Sequence, residues 1–283
     1  MNSRPAVVIP IFNARSQLER CLSSVIRCLR ADDQVLLADD ASTDAEILPL
    51  LERVAQTHAA QISILRNERN LGFVGNVNRA LSDLSKHDIV LLNSDTEVTA
   101  GWLDAIQATA QRVPSAATIT PWSNNAEICS FPQFCQAAPM PTVDEAEQIA
   151  RAALELRDCE IPELPTAVGF AMYIRRAALD QLGDFDAATF GRGYGEENDF
   201  CMRAAAMGWR NVLCPTAYVA HQGNASFSEV GLKAGGDNLQ RLLARYPDYN
   251  RRVAEFIEHD PLAPLRARLQ SALERQRFNI APT

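Results

Sequence analysis

Through the first third of the chain, short apolar runs alternate with stretches of helical spacing. Ala6–Phe12, Gln34–Ala38, Gln61–Leu65 and Asp88–Leu92 read as strands, and Ser16–Arg30, Asp44–His58, Phe73–Leu84 and Trp102–Arg112 as the helices between them. Strands that are apolar throughout, rather than alternating, are buried on both faces. The pattern therefore predicts βαβ units and a parallel sheet covered by helices. Such crossovers place the carboxyl ends of the strands along one edge, where open α/β sheets bind ligands. The pattern breaks at Thr120–Pro141, which carries Pro121, Pro132, Pro139 and Pro141 and reads as a long loop of the kind kept for function. Beyond it, Val143–Leu156 and Asn198–Met207 read as helices, Thr166–Ile174 as a strand, and Val212–Leu213 and Tyr218–Ala220 as short strands. From Glu229 the chain is helical and more charged, ending in Pro261–Phe278.

A chain of 283 residues suits one large α/β domain with an appendage, or two domains. With 47% apolar and 22% charged residues, disorder and coiled coil are poor readings. The net charge of −8 argues against a broad nucleic-acid-binding face. An anionic substrate would need positive charge supplied locally, by a metal, a helix N-terminus or a few arginines. No apolar run approaches the roughly 18 residues of a membrane span, and polar residues end the N-terminal run too early for a signal peptide. The seven cysteines are odd in number and lack CxxC spacing, so reduced thiols in the cytoplasm are expected.

Polar residues gather where the strands end: Phe12 and Asn13 after the first, Asp39 and Asp40 in ADDASTD after the second, RNERNLGFVGN after the third, and Asn93-Ser94-Asp95 after the fourth. Each has a structural reading. Asp40-Ala-Ser-Thr-Asp44 can cap a helix, Asn70-Leu-Gly72 can be a turn, and Asp95 can cap the helix at Trp102. Four successive strand ends of this kind argue for a shared site.

In order, VVIPIFNA, ADDASTDA, RNERNLGFVGNVNRAL and IVLLNSDTEV resemble the nucleotide-binding motifs of family 2 glycosyltransferases. The segment from GFAMYIRRAALDQLGDFD through GYGEENDFCMRAAAMGWRNVLCPTAYVAHQGNASF resembles their acceptor and catalytic half. The resemblance covers roughly residues 5–228. It implies a GT-A fold, α/β with a mostly parallel Rossmann-like sheet, a nucleotide-sugar donor, a divalent metal and inversion at the anomeric carbon. Residues 1–228 would be the transferase domain, with 1–100 the nucleotide-binding half and 101–228 the acceptor half; 229–283 would form a helical extension.

The chemistry explains the residue types. As a sugar leaves a nucleoside diphosphate, negative charge grows on the diphosphate, and a divalent cation stabilises it without proton transfer. Mg²⁺ and Mn²⁺ commonly bridge carboxylates to substrate phosphates. The family's Asp-x-Asp is Asn93-Ser94-Asp95 here, which leaves Asp95 as the anionic ligand and Asn93 to offer a neutral oxygen or contact the ribose. The resemblance assigns His221 as a second metal ligand, and imidazole favours manganese. It also places Pro10, Phe12, Asn13, Asn70, Gly72, Asn76, Asn93 and Ser94 at the nucleotide, with Asp39 or Asp40 on the base. Arg66 or Arg69 would reach the nucleotide or stay solvated.

A general base must stand beside the acceptor hydroxyl, and Gly195-Glu196-Glu197-Asn198-Asp199 supplies three carboxylates. Glu197, Phe200, Cys201 and Ala204 share one inward stripe, whereas Glu196, Asp199 and Arg203 fall on an adjoining face where charges can pair. The family pattern also matches Glu197 to the base, with Glu196 and Asp199 as alternatives near the acceptor or donor sugar. Trp122 and Tyr194 are candidates for sugar stacking or for ordinary packing. Gly191-Arg-Gly193-Tyr-Gly195 has glutamate where a dinucleotide fingerprint needs glycine, and reads as a loop over the donor sugar.

The expectation is thus an inverting, metal-assisted glycosyltransferase moving a sugar, from dTDP-rhamnose or a UDP-hexose, to a glycan or lipid-linked oligosaccharide of the bacterial surface, such as O-antigen. The alternative is a non-catalytic sugar-nucleotide-binding module of a larger synthase, which GEEND disfavours. A nucleotidyltransferase would need a glycine- and lysine-rich loop where FNARSQ stands, and a dehydrogenase a glycine fingerprint. Near the C-terminus, Leu265, Leu269 and Leu273 form a helical row beside Arg266, Arg268, Arg275 and Arg277. Packing within the chain or a homodimer is expected there, with peripheral contact at the inner face of the membrane as the third reading.

Overall fold

The computed structural model describes residues 4–191, 193–223 and 237–280, the side chains of 277–280 excepted. The expected boundary between 228 and 229, the start of the extension at Glu229 and the side chain of Arg277 lie outside the described residues.

The chain builds β1 (Ala6–Ile11), α1 (Arg15–Cys28), β2 (Val35–Asp39), α2 (Ile47–Thr57), β3 (Ile62–Arg66), α3 (Gly72–Asp83), β4 (Ile89–Leu92), β5 (Thr96–Val98) and α4 (Trp102–Arg112). There follow β6 (Ala116–Trp122), α5 (Val143–Ala153), β7 (Ala171–Ile174), α6 (Arg176–Leu182), α7 (Ala187–Phe190), α8 (Glu196–Ala206) and β8 (Arg210–His221). Three helices, Asp237–Arg245, Tyr249–His259 and Ala263–Ile280, close the sequence. The strands order as β3-β2-β1-β4-β7-β6-β8-β5.

β1 to β4 pair in parallel, as their apolar runs predict. β7 is antiparallel to both β4 and β6, and β6 runs parallel to β8. The carboxyl ends of β1, β2, β4, β6 and β8 therefore share one rim with the start of β7. Both faces are covered. Val7, Ile9 and Ile11 pack toward α1 and α2, while Ala6 and Val8 pack toward α3 and α8, the alternation that a strand's period of two imposes.

β5, α6 and α7 were not expected from the sequence, and four further segments depart from the sequence reading. Thr120–Trp122 belongs to β6, not to the long loop, and Pro121 is tolerated because it sits at a register irregularity where the ladder needs no N–H. Only Ala171–Ile174 of Thr166–Ile174 is strand; residues 166–170 run across the rim. The two short strands at the end are one twelve-residue strand, β8, which pairs with β6 and then turns to pair antiparallel with β5. Helix α8 starts at Glu196, two residues before the expected Asn198.

The C-terminal helices pack on the main body. Leu269, Ala272 and Leu273 are buried in the core on the α5 side, with Leu265 packed against it, so the leucine row is occupied within the chain. Arg275 pairs with Glu155, and Arg266 pairs with Asp260 and lies over the ring of Phe134. On the other face, Leu242 enters the core formed by α3 and α8. No helix of the described residues is long and apolar enough to cross a membrane.

Candidate active site

A cavity of about 870 Å³ opens at the shared rim. From the ends of β1, β2 and β4 it is lined by Pro10, Phe12, Asp40, Asn70, Gly72, Asn76, Asn93, Ser94 and Asp95. The polar residues on this side hold one another. Asp40 accepts from Asn67 Nδ2 at 2.8 Å, Leu71 N at 2.7 Å and Gly72 N at 2.9 Å, which ties the β2 loop to the start of α3. Gly72 opens that helix at φ +77°, a conformation that glycine adopts without strain. Asn76 donates to Ala38 O at 2.7 Å and accepts from Asn67 at 2.9 Å.

Two residues expected at the nucleotide lie behind this surface. Asn13 Oδ1 accepts from Thr43 N at 2.9 Å and Asp44 N at 3.1 Å, stapling the β1 loop to the β2 loop without lining the cavity. Asp39 is 0% exposed; Ser42 N donates to it at 3.1 Å and Arg66 Nη1 faces it at 3.3 Å. Of the adjacent pair, Asp40 faces the cavity. Neither Arg66 nor Arg69 lines it.

Register explains the next feature. His221 ends β8 directly opposite Thr96, and Gln222 N donates to Asp95 O at 3.0 Å, so residues 126 apart in sequence become neighbours. His221 Nε2 stands 3.4 Å from Asp95 Oδ1, while its Nδ1 is 2.7 Å from the Asn125 carbonyl. A carbonyl only accepts, so Nδ1 carries hydrogen, and Nε2 is the ring atom that faces Asp95. Asn124 brackets the histidine backbone through His221 N and O, and Phe170 stacks on the ring at 5.2 Å.

These two atoms suit a divalent cation. Their separation is close to the roughly 3 Å between adjacent ligands of a six-coordinate ion. Among the described residues lining the cavity, Asp40, Asp95, Glu127, Glu196 and Glu197 are acidic and none is lysine or arginine. A diphosphate beside these carboxylates would gain from added positive charge, which a divalent cation could supply. The described residues hold no cluster of three or more His, Cys, Asp or Glu that would bind a metal unaided, so substrate oxygens would complete the shell.

The opposite wall is α8. Gly195 precedes it at φ +101°, with Phe190 3.1 Å from where a Cβ would stand. Glu196 and Glu197 point inward from the first turn, and Glu197 lies over Gly169, whose built Cβ would be 3.7 Å from Cγ. Burial, then the charge of Glu197, pushes the Glu196 carboxyl well above its ordinary range. Burial also raises Glu197, against hydrogen bonds from backbone N–H groups and from Glu196. Phe200, Cys201 and Ala204 are buried as the inward stripe requires. Glu196 departs from the expected face: it turns to Glu197 instead of pairing with a cation.

Asp199 and Trp122 stand outside the cavity. Asp199 is 0% exposed and accepts from Arg203 Nε at 2.8 Å, Arg245 Nη1 at 2.6 Å and Tyr246 OH at 2.9 Å, anchoring helix Asp237–Arg245 to α8. Trp122 is 0% exposed, its Nε1 donating to Pro215 O at 3.2 Å, which is ordinary packing. Tyr194 does line the cavity.

Several lining residues escaped the sequence reading. Asn125 and Glu127 come from the loop after β6, whose length was the only signal. Glu127 holds φ +47°, and burial raises its carboxyl. Leu239, Leu242 and Tyr249 come from the C-terminal helices, where no motif marked them.

Residues 6–183 match the model of Glycosyl transferase family 2. The chain belongs to that family. This family 2 glycosyltransferase is 26% identical over 239 residues to N-acetylglucosaminyl-diphospho-decaprenol L-rhamnosyltransferase of Mycobacterium tuberculosis, covering 76% of this chain and 75% of the relative. It is 27% identical over 256 residues to the pre-mycofactocin glycosyltransferase of the same species, covering 86% of this chain and 48% of that one. Among solved structures it resembles GalNAc-T7 with UDP, GalNAc and Mn²⁺ at a TM-score of 0.65 and 19% identity, over 96% of this chain and 55% of that one. It also resembles S. aureus TarS 1-349 with UDP-GlcNAc at 0.55 and 14%, over 99% and 92%. The chain spans about half the length of the GalNAc-T7 chain. These likenesses establish the GT-A fold.

Proposed function

We propose that this family 2 enzyme is an inverting transferase that moves a sugar from a nucleoside-diphosphate donor to a hydroxyl of a glycan or lipid-linked acceptor, with Glu197 as general base. One observation carries the reading: the Asp95–His221 pair and the Glu196–Glu197 pair, from distant parts of the chain, line a single cavity.

The nucleotide would lie along Pro10, Phe12, Asp40, Asn70 and Gly72, with Asn93 and Ser94 beside the ribose and diphosphate. Asp95 and His221 would hold the divalent cation, and imidazole favours Mn²⁺ over Mg²⁺. When bound, the cation supplies positive charge against the leaving diphosphate. Glu197, ionised, takes the proton as the acceptor O–H bond breaks. The freed oxygen pair forms the bond to the anomeric carbon, and the bond to the diphosphate oxygen breaks with its electrons on that oxygen. A single displacement of this kind inverts the configuration. The rhamnosyltransferase relative makes dTDP-rhamnose the first donor to test, with UDP-hexoses as competitors. A lipid-linked acceptor would bring the enzyme to the inner face of the cell membrane.

The test is transfer from a panel of nucleotide sugars with Mn²⁺, the product's anomeric configuration being read by NMR. Inverted product is expected, and Glu197→Gln should lower kcat by about 10²–10⁴-fold with donor affinity retained. Retained configuration, or wild-type turnover in the variant, overturns the proposal.

A further inference from the structure

We propose that Glu196 is a positioning residue that holds a proton for the base: a neutral carboxyl whose hydrogen bond to Glu197 orients it, so that the two titrate as one unit. The inference rests on the reading of Glu197 as base and goes beyond it.

Glu196 is 4% exposed, beside Glu197 in the first turn of α8, and the two side chains share a hydrogen bond. A hydrogen bond between carboxyl groups needs a proton in it, and two carboxylates at that distance cannot both ionise in a buried site. The surroundings decide which one keeps it. Glu197 receives its own backbone N–H, that of Gly195 and the Glu196 hydroxyl, whereas Glu196 receives one backbone N–H and faces the charge of Glu197. Glu196 is therefore neutral and Glu197 ionised. The Oε2 atoms of both residues are buried, and no donor from the other described residues reaches them.

Among the described residues, the groups facing the pair add no cation. Glu127 approaches from the loop after β6, Tyr194 from the glycine-rich turn, Tyr249 from the start of helix Tyr249–His259, and Cys201 from the next turn of α8. Burial raises each of these, so each stays neutral or adds negative charge. In transfer, the pair passes from one proton to two, a neutral state that burial favours. Glu197 is thereby a stronger proton acceptor than an exposed glutamate while remaining ionised beforehand. Above the second titration of the pair both groups carry charge, repel, and lose the shared geometry.

The pH dependence of kcat and KM in the wild type, Glu196→Gln and Glu196→Ala tests this, with circular dichroism confirming the fold at each pH. The wild type should give a bell whose limbs belong to the pair. Glutamine donates a hydrogen bond but cannot ionise, so Glu196→Gln should keep the acid limb, lose the alkaline limb and fall less than about tenfold in kcat. Glu196→Ala should fall more than about tenfold in kcat with little change in donor KM. A protonated-carboxyl infrared band at neutral pH should vanish in Glu196→Gln. An alkaline limb that persists in Glu196→Gln, or a wild-type profile in Glu196→Ala, overturns the inference. Because Glu197→Gln separately tests the base, its loss of activity alongside an unaltered Glu196→Gln profile would reject the pairing and leave the base in place.

Discussion

On the β1–β4 side of the cavity, polar side chains direct their hydrogen bonds to the protein; on the α8 side, two buried carboxyl oxygens have none. Asp40 has three donors and Asn13 holds two backbone N–H groups. Even Asp39, whose Oδ2 lacks a hydrogen bond, faces the Arg66 guanidinium. Glu196 and Glu197 each leave Oε2 without a partner, and the described groups that face them bear no positive charge. The contrast matches two tasks. A nucleotide pocket gains from loops that are already rigid, because ordering them on binding would cost affinity. A proton acceptor must keep a lone pair unclaimed until substrate arrives, and burial without a partner raises its basicity.

The comparison can be broken by substitution. The largest effect expected is on rate: Glu197→Gln should remove about 10²–10⁴ of kcat while calorimetry finds donor affinity close to wild type. The mirror image is Asp40→Ala, which should leave three donors without their acceptor and cost about 2–3 kcal/mol in urea denaturation, with donor binding weakened in step. If Asp40→Ala leaves stability unchanged, the rigid-loop account fails. Asp95→Ala should cut the Mn²⁺-promoted part of donor affinity by about tenfold or more, about 1.4 kcal/mol, measured by titration with and without the metal. A variant that responds to Mn²⁺ as the wild type does would remove Asp95 from the metal site.

Smaller effects sharpen the picture. Both carboxyls on α8 have raised affinities for protons, so the folded chain binds protons that the unfolded chain, with glutamates near about 4.3, has released. Their contribution is complete below that value and is lost as pH rises through the raised folded-state values. Glu196→Gln should therefore flatten the fall in melting temperature on the alkaline side. The smallest change expected is Arg245→Ala. That guanidinium is partly exposed, and Asp199 keeps Arg203 and Tyr246, so a loss of about 1 kcal/mol or less is expected by thermal melting. A loss as large as that of Asp40→Ala would make helix Asp237–Arg245 integral to the catalytic wall.

Most of the sheet was legible because local chemistry writes it. A strand buried on both faces must be apolar, and β1, β2 and β4 follow that rule, while β3 lies half-exposed at the sheet edge; the expected strand ends are met within about a residue. Asp95 and the inward stripe of Glu197 were readable for similar reasons: a strand end and a helical period are local facts. Asp199 pairs with Arg203 as its helical face allowed, but its alternative place near the sugar could not be decided from sequence, because the covering Arg245 and Tyr246 come from a distant segment. Trp122, open in sequence between sugar stacking and packing, is packed because β6 continues beneath the loop expected there.

The order of residues alone determined the family, the parallel half of the sheet and the polar rim where the strands end, since each depends on neighbours only a few positions apart. Folding in three dimensions decided the rest. The register of β8 on β5 set His221 against Asp95, helix Asp237–Arg245 came to close on α8, and Glu196 turned to Glu197. The first two hinge on contacts between segments tens to more than a hundred residues apart, and the last on which groups lose their water; neither quantity has a local signature in the chain.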